Sequence, residues 1–133
     1  MAPQRTWSLL ADLLLVVVFA VIGRASHGEP LDPGGIALTA WPFLAALVVG
    51  WAVSLAWRAP IRPVRTGLPV WAVTVAGGML LRALTGQGTA VPFIVVASVF
   101  LLVTLVGWRL IATAVTRRRA RTDRAGDRIH SPE

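Results

Sequence analysis

Four apolar runs dominate this chain, at about Trp7–Gly23, Ile36–Trp57, Gly67–Leu81 and Ala90–Val115. A helix needs roughly 20 apolar residues to cross the hydrocarbon of a bilayer, with a range of about 17–25. The second and fourth runs reach that length outright, and the first does if Asp12 is tolerated in lipid. The third is short and is weakened by Gly77-Gly78, so Ala83 and Leu84 must extend it, with Arg82 snorkelling outward. A cleaved signal peptide fits the first run poorly, because Asp12 interrupts its core and Arg24-Ala-Ser-His is a poor cleavage site. The chain therefore reads as an all-α polytopic membrane protein. Its single transmembrane domain, residues 1–116, has four helices at about 7–25, 40–58, 67–84 and 90–115, followed by a tail, 117–133.

The second and fourth runs are near copies of each other. Thr39-Ala-Trp-Pro-Phe43, ending in Trp57-Arg58, returns as Thr89-Ala-Val-Pro-Phe93, ending in Trp108-Arg109. Upstream, Arg24-Ala-Ser-His-Gly28 aligns with Arg82-Ala-Leu-Thr-Gly86. A helix, a turn and a second helix thus recur as one unit. Two tandem helical hairpins of equal orientation are expected to be related by a pseudo-two-fold axis along the membrane normal.

Arginines orient the bundle. Arg58, Arg62 and Arg65 fill the connection between helices two and three, and Arg117, Arg118, Arg119, Arg121, Arg124 and Arg128 crowd the tail. The other two connections carry only Arg24 and Arg82. The positive-inside rule then predicts a multi-pass protein of the cell membrane with both termini in the cytoplasm. Trp7, Trp57, Trp71 and Trp108 fall at the cytoplasmic boundary and Trp41 at the outer one, which leaves Trp51 alone in mid-span. The tail is too polar to bury a core and is expected to fray from helix into disorder. Beside a membrane helix its charge suits anionic lipid better than nucleic acid, so the expected partners are the bilayer and a second copy or a larger membrane protein.

Three helices open with Thr-x-x-Pro, at Thr39/Pro42, Thr66/Pro69 and Thr89/Pro92. A threonine side chain can accept a hydrogen bond from a first-turn N–H, and a proline in that turn removes a donor that has no helical partner. The recurring offset favours helix starts at these points over a kink at Pro42 in a helix beginning near Ile36. Ala46, Gly50 and Ser54 lie four apart, and Thr74 and Gly78 repeat the spacing, giving small-residue seams that let helices of one bundle approach closely.

The residues able to carry chemistry are few. Asp12 is the only acid inside a span. It pairs with Arg109 or Arg58 as a buried lock on helix one, or it serves as a proton or cation site. Arg24 and Arg82, at equivalent outer helix ends, either snorkel to headgroups or converge across the bundle mouth, where they could grip an anionic headgroup or a carboxylate. Glu29 and Asp32 are candidate partners. His27 breaks the repeat, which has Thr85 in its place. With Glu29 and Asp32 it raises a small metal or proton site, against the plainer reading of a polar interfacial loop, and no metal ligand set is assigned. The chain has no cysteine, which removes thiolate chemistry. Ser8, Ser26, Ser54 and Ser98 lack the glycines of a nucleophile elbow, and no glycine-rich phosphate loop occurs. The chain reads as non-enzymatic and without a cofactor, with Asp12, Arg24, His27, Arg82 and Arg109 as its candidate functional residues.

Taken together, Asp12, Gly23-Arg24 with Ser26-His27, Thr39 with Pro42-Phe43, Arg82, and Phe93 with Gly107-Trp108-Arg109 resemble a family of small bacterial and archaeal membrane proteins, domain of unknown function 3054. The resemblance covers about residues 6–112 and leaves the tail outside. It implies a four-helix membrane protein and points to those same residues without implying an activity. The expected function is that of a small transport, permeation or ligand-binding membrane protein, with a non-catalytic accessory subunit or membrane scaffold as the alternative.

Overall fold

The computed structural model describes residues 2–130. Its helices are α1 (Ala2–Ser26), α2 (Pro33–Ser54), α3 (Leu68–Leu84) and α4 (Val91–His130). A 3-10 turn, Ala56–Arg58, and a π-helical turn, Pro63–Gly67, lie between α2 and α3. All four helices are long and apolar enough to cross a membrane. The π-helical turn runs straight into α3, so the third span covers Pro63–Leu84, 22 residues, and the length missing from the apolar run is supplied upstream as well as by Ala83 and Leu84. With four crossings, both termini and the 55–67 connection share one end of the bundle. The connections 27–32 and 85–90 share the other.

The core runs through the middle of the bundle. Val16, Phe19, Phe43, Leu47, Val70, Ala97, Leu101 and Leu105 are buried together. Phe19 meets Phe43 edge-on at 5.2 Å between ring centroids, and Phe93 and Phe100 lie 6.0 and 5.7 Å from Phe19. Outward faces carry Leu10, Leu14, Val95, Val99 and Val103, as helices bounded by lipid rather than water do.

The small-residue seam packs α2 on α3. A Cβ built on Gly50 would sit 3.3 Å from the Val70 carbonyl, one on Gly77 would sit 2.9 Å from the Ala46 Cβ, and one on Gly78 would enter the Phe43 ring. Thr74 is buried in the same seam. Close backbone approach of this kind is what van der Waals association in lipid requires.

Two expectations need correcting. α2 begins at Pro33, with the Asp32 carboxylate accepting from the Gly35 N–H at 3.0 Å, so Thr39 and Pro42 lie inside the helix. Asp-Pro-Gly already supplies an N-cap and an N1 proline about two turns earlier, and the Thr-x-x-Pro pattern is not needed there. Thr66 likewise does not cap α3, because its hydroxyl donates to the Ala59 carbonyl at 2.6 Å. Pro69 and Pro92 do lie in the first turns of α3 and α4. Residues 117–130 continue α4 as helix. Arginine and alanine are strong helix formers, and no proline follows Pro92 until the three residues, 131–133, that lie outside the described part. At about 1.5 Å per residue α4 is roughly 60 Å long, twice the hydrocarbon thickness of about 30 Å.

α1 and α3 end in the same way. The Glu29 N–H donates to the Arg24 carbonyl at 2.9 Å and the Gly28 N–H to Ala25 at 3.2 Å. The Gln87 N–H donates to Arg82 at 2.9 Å and the Gly86 N–H to Ala83 at 3.3 Å. Both are Schellman caps with a glycine at φ 68° or 73°. Nothing lies within 4 Å of a Cβ added at Gly86, so Gly86→Ala isolates the conformational cost of the left-handed site. We expect a loss of about 1–2 kcal/mol, measured by chemical denaturation in detergent.

Candidate functional site

The terminus end of the bundle holds a closed ion-pair cage. Asp12 lies eight residues beyond Gln4, where the first span begins, or about 12 Å along the axis. Arg109 meets it end-on, Nη1 donating to Oδ1 at 2.8 Å and Nη2 to Oδ2 at 2.6 Å. The Trp108 indole donates to Oδ1 at 2.8 Å and the Trp51 indole to Oδ2 at 2.8 Å. Each carboxylate oxygen thus accepts two hydrogen bonds, which fills its lone-pair capacity. Arg109 also donates from Nε to the Pro60 carbonyl at 2.9 Å and from Nη1 to Leu105 at 2.9 Å. Both side chains are wholly buried. Of the two arginines considered as partners, Arg109 takes the place, while Arg58 is exposed on the 3-10 turn. The cage ties α1, α2, α4 and the 55–67 connection at one point.

Sequence reasoning missed the two indole donors. Their signal was present in Trp51, the one tryptophan away from both interfaces. A buried indole N–H needs an acceptor, and the only acid within a span is Asp12.

A cleft of about 400 Å³ opens at the opposite end. Arg24, His27 and Glu29 line it from the end of α1, Thr39 from α2, and Arg82, Gln87 and Phe93 from the second hairpin. Arg24 and Arg82 therefore converge on one space. Each donates from Nε to the carbonyl six residues ahead, Arg24 to Pro30 at 2.8 Å and Arg82 to Gly88 at 3.0 Å. Beyond that they differ. Arg24 pairs with Glu29 at 3.1 Å and donates to the Thr39 hydroxyl at 3.1 Å. Its guanidinium packs where a Cβ at Gly35 would fall, so a side chain there would displace the ends of Arg24 and Asp32. Arg82 donates to the Gln87 side-chain and main-chain oxygens at 3.3 and 3.1 Å and lies 4.2 Å over the Phe93 ring. Among the described residues no carboxylate lies within 4.0 Å of Arg82. Fixed, side-chain-packed guanidinia of this kind suit planar or tetrahedral oxyanions.

His27 shares the cleft with Glu29, whereas Asp32 caps α2. No group of three His, Cys, Asp or Glu side chains able to hold a metal forms among the described residues. Asp12 and Arg109 stand at the other end, so the five candidate residues divide into two separate sites.

No curated protein and no solved structure matches the chain. A family model does, over residues 9–112, which takes in the cage, the cleft and all or part of every span but not the arginine-rich end of α4. The chain belongs to DUF3054, a family of proteins of unknown function.

Proposed function

We propose that this is a non-enzymatic ligand-binding protein of the cell membrane, whose site is the cleft between the two hairpin tips and whose ligand carries a carboxylate or phosphate. The observation that carries this is the convergence of Arg24 and Arg82 on one cleft, where Arg24 pairs with Glu29 at 3.1 Å and Asp32 at 4.0 Å while, among the described residues, Arg82 has no carboxylate within 4.0 Å. The cleft is of ordinary ligand size, since small-molecule sites occupy about 300–1,000 Å³. Binding is favoured over permeation because the Phe19, Phe43, Phe93 and Phe100 cluster and the Asp12 cage lie beneath the cleft. The arginine distribution supports an orientation with both termini cytoplasmic and the cleft outside. The twin Schellman caps and the matching Arg-to-carbonyl bonds support descent of the two halves from one duplicated hairpin.

Ala90 lines the cleft without accepting a hydrogen bond from either arginine, so Ala90→Trp fills the space and leaves the folded bundle in place. Native mass spectrometry of protein released with lipid from its own membrane is expected to show one anionic adduct on the wild type and none on Ala90→Trp. Arg24→Gln and Arg82→Gln are expected to weaken that adduct alike. A bare wild-type protein, or an adduct indifferent to Ala90→Trp, contradicts the proposal.

An accessory-subunit role has one observation in its favour. α4 carries a basic helix out to His130, well beyond the span, where a partner could meet it.

A further inference from the structure

A second basic groove lies at the terminus end, and nothing in the cleft or the cage uses it. Arg62, Pro63, Val64 and Arg65 form one wall, and Leu110 and Arg117 of α4 belong to the other, around a space of about 610 Å³. Hydrogen bonds fix the walls. The Thr113 hydroxyl donates to the Ile61 carbonyl at 3.1 Å, and Arg65 donates to the Ser54 carbonyl at 3.2 Å and the Thr66 hydroxyl at 3.1 Å. The Thr113 bond and the buried Arg109 Nε bond to Pro60 at 2.9 Å hold the 55–67 connection against α4, and Arg65 ties it to the end of α2.

The lining is divided by chemistry. Arg62, Arg65 and Arg117 supply charge, and among the described residues no carboxylate lies within 4.0 Å of any of them. Arg62 and Arg117 are exposed. Val64 and Leu110 supply exposed apolar surface, at 70% and 56% of their full accessibility. The groove also straddles the start of the third span at Pro63, where the apolar helix gives way to the arginine-bearing connection. Three cations with a short apolar wall at a membrane boundary match a molecule with a negative head and a hydrocarbon body. Basic pockets of this kind between membrane helices take lipid phosphates, and a guanidinium pairs with phosphate oxygens through two parallel bonds.

We infer that this groove binds one anionic phospholipid of the surrounding bilayer, its phosphate between Arg62 and Arg117 and its first acyl carbons along Val64 and Leu110. The site is local. It differs from a diffuse attraction of the whole basic helix, because Arg124 and Arg128 lie farther along α4 and outside the groove.

The test uses the full chain in nanodiscs of phosphatidylcholine with a minor share of phosphatidylglycerol, released for native mass spectrometry. Wild type is expected to retain one phosphatidylglycerol in preference to phosphatidylcholine. Arg62→Gln/Arg117→Gln is expected to lower that retention about thirtyfold, whereas Arg124→Gln/Arg128→Gln, which removes equal charge, leaves it unchanged. Ala114→Trp, which blocks the groove with its charge intact, is expected to match the first double variant. Because all four substituted arginines are exposed, the circular-dichroism melts of both double variants are expected to coincide with wild type. No preference for phosphatidylglycerol in the wild type, equal losses in the two double variants, or a lipid retained by Ala114→Trp would overturn the inference.

Discussion

Asp12→Asn is expected to destabilise the protein by about 3–5 kcal/mol, the cost of breaking a buried ion pair by removing one partner. The substitution preserves shape but leaves the Arg109 guanidinium wholly buried with no counter-charge. It also replaces one acceptor oxygen by an NH2 donor, facing an indole N–H and a guanidinium N–H that donate at 2.8 and 2.6 to 2.8 Å in the wild type. Loss of the cage releases α1 from α2 and α4 together, so unfolding by denaturant titration in detergent is the direct readout. Arg109→Gln is expected to cost a comparable amount. Asp12→Asn/Arg109→Gln should lose less than the two single losses added, because neither partner is then a lone charge. An Asp12→Asn protein that unfolds with the wild type would mean that the carboxylate carries no charge in the fold, and the ion-pair lock would be wrong.

Gly78→Leu is the second large effect expected. The added Cβ enters the Phe43 ring, and Phe43 is itself fully buried against Phe19 at 5.2 Å. The ring cannot swing aside as the end of a flexible chain would, so α2 and α3 must separate along the seam that also includes Gly50 and Gly77. Overpacking of a filled core costs about 1–3 kcal/mol, occasionally more. Gly107→Leu supplies the control, since nothing lies within 4 Å of its added Cβ and leucine is the better helix former. Equal melting temperatures for the two variants would show that the seam is looser than the contacts at Gly77 and Gly78 require.

What the sequence reveals here follows from which forces are local. The four spans are legible because lipid imposes length and apolarity on each helix separately. The seam on Ala46, Gly50 and Gly78 is legible because small residues at a four-residue spacing have one common use in lipid. The start of α2 is not, because two local signals compete and Asp32-Pro33 prevails over Thr39/Pro42. How far the helix runs past the last span is less legible, because polarity argues against a core but not against a helix of arginine and alanine. Asp12 draws attention by its depth, yet choosing Arg109 over Arg58 needs the 3-10 turn that carries Arg58 to the surface. The convergence of Arg24 and Arg82 is one of two outcomes the sequence leaves open, since arginines at helix ends can equally snorkel to headgroups. The differences between them, Glu29 and Thr39 on one side and Gln87 and Phe93 on the other, are tertiary and are not legible there.

The decisive measurement is the sidedness of the two ends, and a chain without cysteine allows it to be made one residue at a time. His27 stands exposed at the cleft end and Thr122 on the far end of α4. In intact cells a membrane-impermeant maleimide is expected to label His27→Cys and to leave Thr122→Cys unreacted until the membrane is opened. Labelling of Thr122→Cys from outside, or of both positions alike, would contradict a cleft that faces outward from a four-span bundle with its arginine-rich helix within.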